Sequence, residues 1–429
     1  MTKKKVLIIT YYWPPSGGAG VQRWLKFIKY LPNYNWNPTV FTVRNGEYPV
    51  LDEALLNDVS KDINVIKGPI WEPYSYYKKI TGRKKYDRIN SSFLSQKRKK
   101  MVLFEKLSIW IRGNFFIPDA RRFWIKPSIR ILSKILEQNT FDVIISTGPP
   151  HSTHLIACTL AKRFSIPWLA DFRDPWTNID FYKDLMLSYW ADRKHRRLEK
   201  MVLSQADLVL TVGQTLAEEL KELGSNNVHV VENGFDSKDL VQERPALDDK
   251  FTIAHIGSFT PSRNHKAFWI AISELIEEDN QFSKNFQLKL IGNIDFSVLQ
   301  SIKEFKLSNY LNHIPYLAHN LVVEQQMKSH LLLLLVNNTP NAKGIITGKI
   351  FEYMASSRPT LVIGPKDGDV AKIVKDCNAG EICDFSDVQH IKKYILDTFY
   401  KRVHYNPSVD AYSRERLTNK LSTLLHSIT

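Results

Sequence analysis

Short apolar runs alternate with amphipathic segments along most of the chain. Residues 5–10, K-V-L-I-I-T, form the first apolar run. A glycine-containing loop follows, and then V-Q-R-W-L-K-F-I-K-Y-L, whose apolar positions repeat at helical spacing. Further strands are predicted at residues 38–43, 142–146, 167–171, 208–212 and 228–231, with helices at residues 155–164 and 215–223. Strands that alternate with helices are typical of a parallel, doubly wound sheet.

The pattern restarts after a polar stretch at residues 241–250, V-Q-E-R-P-A-L-D-D-K, which is predicted to be a linker. Strands are predicted beyond it at residues 251–256, 287–291, 331–336, 360–364 and 381–383, and helices at residues 266–277, 296–305, 322–328 and 369–375. We therefore expect two α/β domains, residues 1–240 and 251–405. Residues 406–429 are expected to form a helix that returns to the first domain.

Size and composition fit two globular domains. The chain has 429 residues and is 43% hydrophobic, which is more than one typical core requires. No apolar run reaches the roughly 18 residues that a membrane-spanning helix needs, and the apolar run near the N-terminus is too short for a signal peptide. Three scattered cysteines predict neither a disulfide framework nor a zinc site, and they fit a cytoplasmic protein.

The net charge of +15 is concentrated in one region. Residues 71–130 contain 16 Lys or Arg against four Asp or Glu, and they break the alternation of strands and helices. Because Trp, Phe and Ile are mixed with these cations, the insertion suits contact with an anionic membrane surface. The alternative is a solvated basic helix that packs on the core. Nucleic acid is not expected as a partner, since no recognisable nucleic-acid motif accompanies the basic residues.

Residues 347–370 combine features of a phosphate site and a sugar site. Thr347 is a candidate N-cap, and Gly348 and Lys349 behind it place free N–H groups and a cation in one small volume. Glu352 lies beyond the first helical turn, where its carboxylate can accept hydrogen bonds from ribose hydroxyls. A ligand with a phosphate and a sugar diol is therefore implied. The alternative is an ordinary amphipathic helix with an exposed glutamate.

The first loop contains Gly17 and Gly18, where bare backbone can approach a diphosphate. A dinucleotide fingerprint that starts at Gly18 requires Gly or Ala at the position of Arg23, and the second strand ends at Arg44 where NAD-binding proteins carry an acidic residue. NAD is thus disfavoured, NADP stays open, and a purely structural turn is the alternative.

Polar residues also follow two later strands of the first half. His151 stands after D-V-I-I-S in T-G-P-P-H-S-T-H, where it can bind a sugar hydroxyl or a phosphate. His151 and His154 are not expected to bind a metal, because no carboxylate or cysteine completes a ligand set. Asp171, Arg173 and Asp174 in D-F-R-D-P-W either bind a polar acceptor or pair with one another as a structural cluster.

In the second half, G-S-F-T-P-S-R-N-H-K joins a strand to a helix. Gly257 and Ser258 form the turn, while Arg263 and Lys266 lie near the helix start. Two cations at that position can neutralise a departing diphosphate.

Together these segments resemble the retaining, nucleotide-sugar-dependent glycosyltransferases of family 4. The resemblance covers most of the chain and rests on Y-Y-W-P-P-S-G-G-A-G-V-Q-R, E-N-G-F-D, G-S-F-T-P-S-R and G-K-I-F-E-Y-M-A. It implies the α/β GT-B architecture, in which two Rossmann-like domains with doubly wound parallel sheets face a central cleft. It also implies that the glycine loop and a basic pair bind the donor diphosphate and that a glutamate binds the ribose.

The resemblance implies specific site residues. Donor binding is assigned to Gly17, Gly18, Gly257, Ser258, Tyr316, Thr347, Gly348, Lys349 and Glu352. Catalysis is assigned to Arg263, Lys266 and His151, and acceptor binding to Asp171, Arg173 and Asp174. The family commonly has a first glutamate eight positions before the second, where this chain has Gly344, so Lys343 or Asp367 and Asp369 are candidates to contact the donor sugar.

The implied activity is hexosyl transfer with retention from a UDP- or GDP-sugar to a saccharide or lipid-linked acceptor, in the synthesis of a cell-envelope polysaccharide. No metal and no cofactor are expected, and the leaving phosphate helps to remove the acceptor proton. The expected location is the cytoplasm, peripheral on the inner face of the plasma membrane. Two alternatives remain, a non-catalytic module that binds a nucleotide sugar or a membrane and an NADP-dependent oxidoreductase.

Overall fold

The chain divides into two compact units in a computed structural model, which describes residues 3–48, 50–72, 99–239, 244–315, 317, 319–403, 405 and 407–429. The first unit comprises Met1–Glu232 and Arg414–Thr429, and the second comprises Asn233–Ser413. Residue 240, residues 241–243 of the predicted linker and residues 73–98 of the insertion lie outside the described residues.

The first unit contains a sheet of seven parallel strands. The strands are β1 (Lys4–Ile9), β2 (Trp36–Val43), β3 (Asn64–Gly68), β4 (Val143–Gly148), β5 (Trp168–Phe172), β6 (Leu208–Thr211) and β7 (Val228–Val230). The helices are α1 (Ala19–Tyr30), α2 (Lys99–Phe115), α3 (Arg122–Gln138), α4 (Ser152–Phe164), α5 (Tyr189–Gln205), α6 (Gln214–Glu222) and, from the end of the chain, α14 (Arg414–His426).

The strand order of this sheet is β3-β2-β1-β4-β5-β6-β7. Chain order therefore reverses between β1 and β4, whose residues pair from Val6 with Val143 to Ile9 with Ser146. Both faces of the sheet are covered, because the runs V-L-I-I and V-I-I-S are fully buried. Leu417, Leu421 and Leu425 of α14 pack in the same core as β1, so the last helix completes the first unit.

The second unit repeats this architecture with six parallel strands. The strands are β8 (Phe251–Ile256), β9 (Phe286–Ile291), β10 (Leu311–Ile314), β11 (Leu331–Leu335), β12 (Thr360–Ile363) and β13 (Gly380–Cys383). The helices are α7 (Lys266–Glu278), α8 (Asn280–Asn285), α9 (Phe296–Glu304), α10 (His319–Lys328), α11 (Lys349–Ala355), α12 (Asp369–Asp376) and α13 (Val388–Phe399).

The order of this second sheet is β10-β9-β8-β11-β12-β13, so its reversal lies between β8 and β11. The all-leucine strand β11 is buried along its whole length, as is expected for a central strand covered on both faces. In doubly wound sheets, ligands bind beyond the carboxyl ends of the strands at the point of reversal. The loops after β8 and β11 are therefore the positions to search for a site in this unit.

Two doubly wound parallel sheets confirm the predicted fold class, GT-B with two Rossmann-like domains. The strands that were not predicted, β3 and β10, are the outermost strands of their sheets. Each carries few apolar residues, because an edge strand buries less of its surface. The polar helix α5 was missed for a similar reason, since its sequence Y-W-A-D-R-K-H-R-R-L-E-K masks the apolar positions.

No helix in the described part of the chain is long and apolar enough to cross a membrane. The three cysteines, Cys158, Cys377 and Cys383, are free and buried.

Candidate functional site

The turn after β8 can only be formed by glycine. Gly257 has a φ of +110°, and a Cβ placed on it would collide with Nζ and Cε of Lys349. The neighbouring loop is equally tight, since Gly292 has a φ of +120° and a Cβ there would lie 2.7 Å from the Gly257 carbonyl oxygen. The bare backbone of Gly257 therefore lets the lysine side chain lie directly across the end of β8.

Arg263 connects the loops on both sides of the reversal point. It ends a short 3-10 turn, Pro261–Arg263. Its Nη1 donates to the carbonyl oxygen of Ser258, 3.0 Å away, and its Nε donates to Oδ1 of Asn337, 2.7 Å away. Because Ser258 follows β8 and Asn337 follows β11, these bonds hold the guanidinium at the edge where doubly wound sheets bind ligands.

Lys349 supplies the second cation at this edge. It is the first residue of α11 and is half-buried. Burial lowers the pKa of Lys349 to about 7, and the positive charge of Arg263 adds to this effect, while Glu352 opposes it. Among the residues that the structure describes, none forms a hydrogen bond or ion pair with Lys349 Nζ. Two adjacent cations, one of them held partly deprotonated, form a site that an anion would stabilise.

Glu352 lies one turn further along α11. Its Oε2 accepts a hydrogen bond from Nε2 of the buried Gln326, 3.3 Å away, and the carboxylate is half-buried. The next residue fixes the helix to the sheet, because the hydroxyl of Tyr353 accepts a hydrogen bond from the backbone N–H of Ile256, 3.0 Å away. Gln326 thus holds the Glu352 carboxylate in place, and the carboxylate can accept further hydrogen bonds from hydroxyl groups.

The start of α11 differs from the prediction. Gly348, not Thr347, is the N-cap residue, and its φ of −57° and ψ of −22° are already helical. The Thr347 hydroxyl caps no backbone N–H. It is buried without a hydrogen-bond partner among the described residues, while the Thr347 carbonyl accepts from Ile350 N–H at 3.1 Å. Because the chain is already helical at Gly348, no residue there takes the extended conformation of a side-chain cap. The candidate anion site therefore rests on the two cationic side chains, Arg263 and Lys349, and not on a capped helix end.

Of three other residues of this unit that were predicted to bind the donor or to take part in catalysis, two have side chains that form no hydrogen bond or ion pair with Arg263 or Lys349, and one lies outside the described residues. Lys266 is the first residue of α7 and is exposed, and no contact within the described ranges joins it to Arg263 or Lys349. Ser258 is exposed, and its carbonyl accepts from Arg263. Tyr316 lies outside the described residues. The structure therefore pairs Arg263 with Lys349, where the sequence had suggested a pair of Arg263 and Lys266.

The position of the missing glutamate is a short turn. Gly344 ends the 3-10 turn Ala342–Gly344, and its N–H donates to the Asn341 carbonyl. The adjacent Lys343 forms an exposed ion pair with Asp367, 2.5 Å between Nζ and Oδ2. Lys343 and Asp367 therefore neutralise each other beside this turn.

In the first unit, one of the two glycines of the first loop is already in contact with the protein. The N–H of Gly17 donates to the Val50 carbonyl at 2.9 Å, and a Cβ at Gly17 would lie 3.0 Å from the Cβ of Asp52. Gly18 is exposed, has a φ of +92° and is the N-cap residue of α1. Close packing against Asp52 thus explains why a small residue is needed at position 17. Of the two glycines, Gly18 is the one whose backbone is exposed to solvent.

Asp171 is a structural residue. It is fully buried and accepts hydrogen bonds from Arg23 Nη2 at 3.0 Å, Trp24 Nε1 at 2.6 Å and Thr147 Oγ1 at 2.8 Å. These donors occupy both carboxylate oxygens. Asp171 therefore has a structural role, but its partners are Arg23, Trp24 and Thr147, whereas the sequence had suggested pairing with Arg173 and Asp174. Arg23 stands where a dinucleotide fingerprint has its last glycine because it is the buried partner of this carboxylate.

Arg173 is also satisfied within the protein, since its guanidinium donates to the carbonyl oxygens of Gly148, Gly20 and Pro149. These bonds join the loops after β1 and β4. Asp174, by contrast, is exposed. Of the three residues predicted to bind an acceptor, Asp174 is the one whose side chain faces solvent.

His151 lies in a buried aromatic cluster that the sequence did not reveal. Its ring stacks on Trp176 with 4.4 Å between centroids, and His154 stacks on Phe172 at 4.6 Å. Burial, followed by the charge of His154, keeps the pKa of His151 well below its usual range. Burial also lowers the pKa of His154 to about 3, so burial favours the neutral form of both imidazoles. His154 Nδ1 lies 2.8 Å from Ser146 Oγ, which excludes that nitrogen as a free ligand.

No group of three or more His, Cys, Asp or Glu side chains is arranged to hold a metal ion in the part of the chain that the structure describes.

Comparisons with known proteins agree with this architecture. Residues 88–239 match the family model of Glycosyltransferase Family 4. No curated protein matches the chain. Among solved structures, sucrose-phosphate synthase from Thermosynechococcus elongatus has a TM-score of 0.58 at 13% identity, over 99% of this chain and 95% of that chain.

Two further solved structures are similar over nearly their whole length. The lipopolysaccharide outer core galactosyltransferase WaaB has a TM-score of 0.59 at 14% identity, over 99% of both chains. S. aureus TarM, solved with fondaparinux, alpha-GlcNAc-glycerol and UDP, has a TM-score of 0.56 at 10% identity, over 99% of this chain and 97% of that chain. At such identities the similarity establishes the fold alone.

The family match over residues 88–239 agrees with the resemblance to family 4 glycosyltransferases, and the solved structures agree with the GT-B fold. Nothing among the matches supports the NADP-dependent oxidoreductase.

Proposed function

We propose that the protein is a glycosyltransferase that binds a nucleoside diphosphate sugar at the carboxyl edge of its second sheet. The observation that carries the proposal is the arrangement of Lys349 across Gly257, beside Arg263 and one turn before Glu352. The diphosphate would lie against the two cations, and the ribose hydroxyls would donate to Glu352. A titrating lysine next to an arginine is the environment that a diphosphate stabilises most.

The chemistry that follows is displacement at the anomeric carbon. The bond from that carbon to the diphosphate oxygen breaks, and the acceptor hydroxyl oxygen forms the new bond. Negative charge grows on the departing diphosphate, and Lys349 and Arg263 are positioned to stabilise it. We propose retention of configuration, with acceptor attack and donor departure on one face. The leaving phosphate then takes the acceptor proton, and no metal is required.

For the acceptor, we propose a saccharide or a lipid-linked saccharide of a cell-envelope polysaccharide. Two structural neighbours support this class, since WaaB is named for the lipopolysaccharide outer core and TarM was solved with alpha-GlcNAc-glycerol. In the first unit, exposed Asp174 is the residue we assign to acceptor binding. The proposed location is the cytoplasmic face of the plasma membrane.

Donor hydrolysis in the absence of acceptor tests the proposal. The protein is incubated with UDP- and GDP-sugars, and the release of free sugar is measured. We expect slow hydrolysis of one nucleotide class. Its rate should fall about 100-fold in Arg263→Ala, as when a transition-state donor is removed, and about 10-fold in Glu352→Ala, through weaker donor binding.

The matched control is Glu304→Ala, which removes an exposed glutamate at the end of α9. Its hydrolysis rate should equal that of the wild type. Donor binding without any hydrolysis or transfer, across both nucleotide classes, would instead support the non-catalytic module. Gly344 gives that alternative its motivation, because it leaves the donor sugar without the family's first glutamate.

A further inference from the structure

An aromatic surface lies exposed on the first unit, where the last turn of α2 meets the segment before α5. Its members are apolar side chains from α2 and from the residues around the start of α5. We call it the aromatic face, and it consists of Leu107, Trp110, Phe115, Met186, Tyr189 and Trp190. Tyr189 is 80% exposed, Trp190 61% and Phe115 57%. Single exposed apolar residues are ordinary, but a contiguous aromatic group marks an interaction surface.

The two parts of the aromatic face are joined by specific contacts. The side chain of Asn114 donates from Nδ2 to the Met186 carbonyl at 3.3 Å and accepts at Oδ1 from Ser188 N–H at 2.7 Å. Gly113 allows this approach, since a Cβ there would lie 2.7 Å from Leu187 Cδ2. The last turn of α2 and the segment before α5 therefore form one surface.

Cations surround the aromatic face. Exposed basic residues follow it along α5, namely Arg193, Arg197 and Lys200, and α2 adds Lys106 and Arg112. Lys194 Nζ lies over the Trp190 ring, 4.7 Å from its centroid. Two acidic residues close by in the chain are Asp192, which is paired with Arg196, and the exposed Asp184. The surface is therefore apolar at its centre and positive around it.

We propose that the aromatic face docks on an anionic phospholipid membrane, with its rings at headgroup depth and the surrounding cations against lipid phosphates. Tyr and Trp are the side chains that favour this depth, and each nearby Lys or Arg strengthens attraction to anionic lipid. A second copy of the chain is a poorer occupant, because a symmetric contact would bring the same cations against each other. The proposal uses no side chain of the basic run at residues 97–100, and it does not depend on glycosyl transfer.

Co-sedimentation of the full chain with vesicles tests this proposal. Vesicles of phosphatidylcholine alone are compared with vesicles that also contain phosphatidylglycerol. We expect binding only to the second kind, decreasing as salt is added. Trp190→Ser should weaken this binding about 10-fold through loss of an interfacial ring, and Arg193→Gln combined with Arg197→Gln by a similar factor. The donor hydrolysis rate of Trp190→Ser in solution should match the wild type.

The matched control is Phe296→Ser, because Phe296 is 64% exposed but lies in the second unit. Its vesicle binding should equal that of the wild type. An equal loss in Phe296→Ser and Trp190→Ser would overturn the proposal, as would equal binding to both kinds of vesicle. Concentration-dependent self-association that Trp190→Ser abolishes, without vesicle binding, would assign the surface to a second copy. Binding to a single-stranded oligonucleotide but not to vesicles would assign it to nucleic acid.

Discussion

At the carboxyl edges of the two sheets the strand order reverses in the same way, but the charged side chains there have different surroundings. In the first unit, the buried Asp171 is satisfied by Arg23 and two further donors, and Arg173 donates to three carbonyl oxygens. In the second unit, Lys349 lies beside Arg263 with a pKa lowered to about 7, chiefly by burial. Charges at the first edge therefore hold the protein together, whereas the second edge contains charge that a ligand can neutralise.

This difference separates structural residues from candidate functional residues better than residue type does. Both edges contain arginines, acidic residues and glycines after strands, and both looked like sites in the sequence. What distinguishes them is that Asp171 has its partners inside the fold, whereas Lys349 Nζ has no hydrogen-bond or ion-pair partner among the described residues. A buried carboxylate with two occupied oxygens has no capacity left for a substrate.

The largest expected effect is a loss of stability when the buried carboxylate at the carboxyl edge of the first sheet is removed. Asp171→Ala should destabilise the protein by about 3–5 kcal/mol, because it leaves the buried Arg23 guanidinium without its charged partner. Chemical denaturation measures this loss. The matched variant Asp174→Ala, which removes an exposed neighbour, should change stability by less than about 0.5 kcal/mol. Similar losses in both variants would show that Asp171 is not the structural anchor.

The next effect breaks the second edge through its backbone. Gly257→Ala should weaken nucleotide binding by roughly 100-fold, because the added methyl group displaces Lys349 and the φ of +110° disfavours alanine. Gly224→Ala is the control, since Gly224 has a φ of +112° and a Cβ there would approach only Lys200 Cε, at 3.9 Å. Both variants should lose similar stability to backbone strain. Equal nucleotide affinity in the two would contradict the role given to Lys349.

A third effect depends on pH. Between pH 7 and 9 the affinity for a nucleoside diphosphate should fall by up to about 10-fold per pH unit. The ligand binds protonated Lys349, and above a pKa of about 7 binding therefore requires the uptake of a proton. Lys349→Arg stays charged and should give a flat profile. Calorimetric titrations at several pH values measure both, and parallel profiles would contradict the assignment.

The same pKa has the opposite effect on the unliganded protein. From about pH 7 toward the ordinary lysine pKa of 10.5, the unfolded chain binds a proton that the folded chain does not. Stability should therefore rise with pH across this window from the Lys349 contribution, while donor affinity falls. Thermal unfolding of wild type and Lys349→Met separates this contribution from other titrating groups.

The smallest effect concerns the position of the arginine. Asn337→Ala removes the acceptor for Arg263 Nε but leaves the bond to the Ser258 carbonyl, so donor affinity should fall only about fivefold. Asn338→Ala changes the exposed neighbour and should have no effect. A loss in Asn338→Ala as large as that in Asn337→Ala would show that the loop, and not the hydrogen bond, matters.

The periodic parts of the molecule could be predicted from sequence, and the pairing of its charges could not. Buried strands such as β1 and β11 have continuous apolar runs, V-L-I-I and L-L-L-L-L, which specify them locally. Lys349 and Glu352 could be named as candidates because they share one short segment with a helix start. The partnership of Asp171 with Arg23 joins residues far apart in the chain, so no local pattern distinguished it from a substrate site.

Other residues were missed because their role depends on packing. Asn337 and Gln326 have no motif around them, and they matter only because the fold brings them to Arg263 and Glu352. Thr347 has the residue type of an N-cap, but the chain is already helical at Gly348, so its hydroxyl caps nothing. The aromatic start of α5 was missed because the polar remainder of that helix hid its pattern.

The most direct test is calorimetric titration of wild type and Lys349→Met with UDP and with GDP. Methionine keeps much of the side-chain length and removes the charge. We expect one of the nucleotides to bind the wild type and its affinity to fall about 10- to 100-fold in Lys349→Met, with Tm unchanged or raised. Equal affinity in both proteins, or no binding of either nucleotide to the wild type, would contradict a donor site at the carboxyl edge of the second sheet.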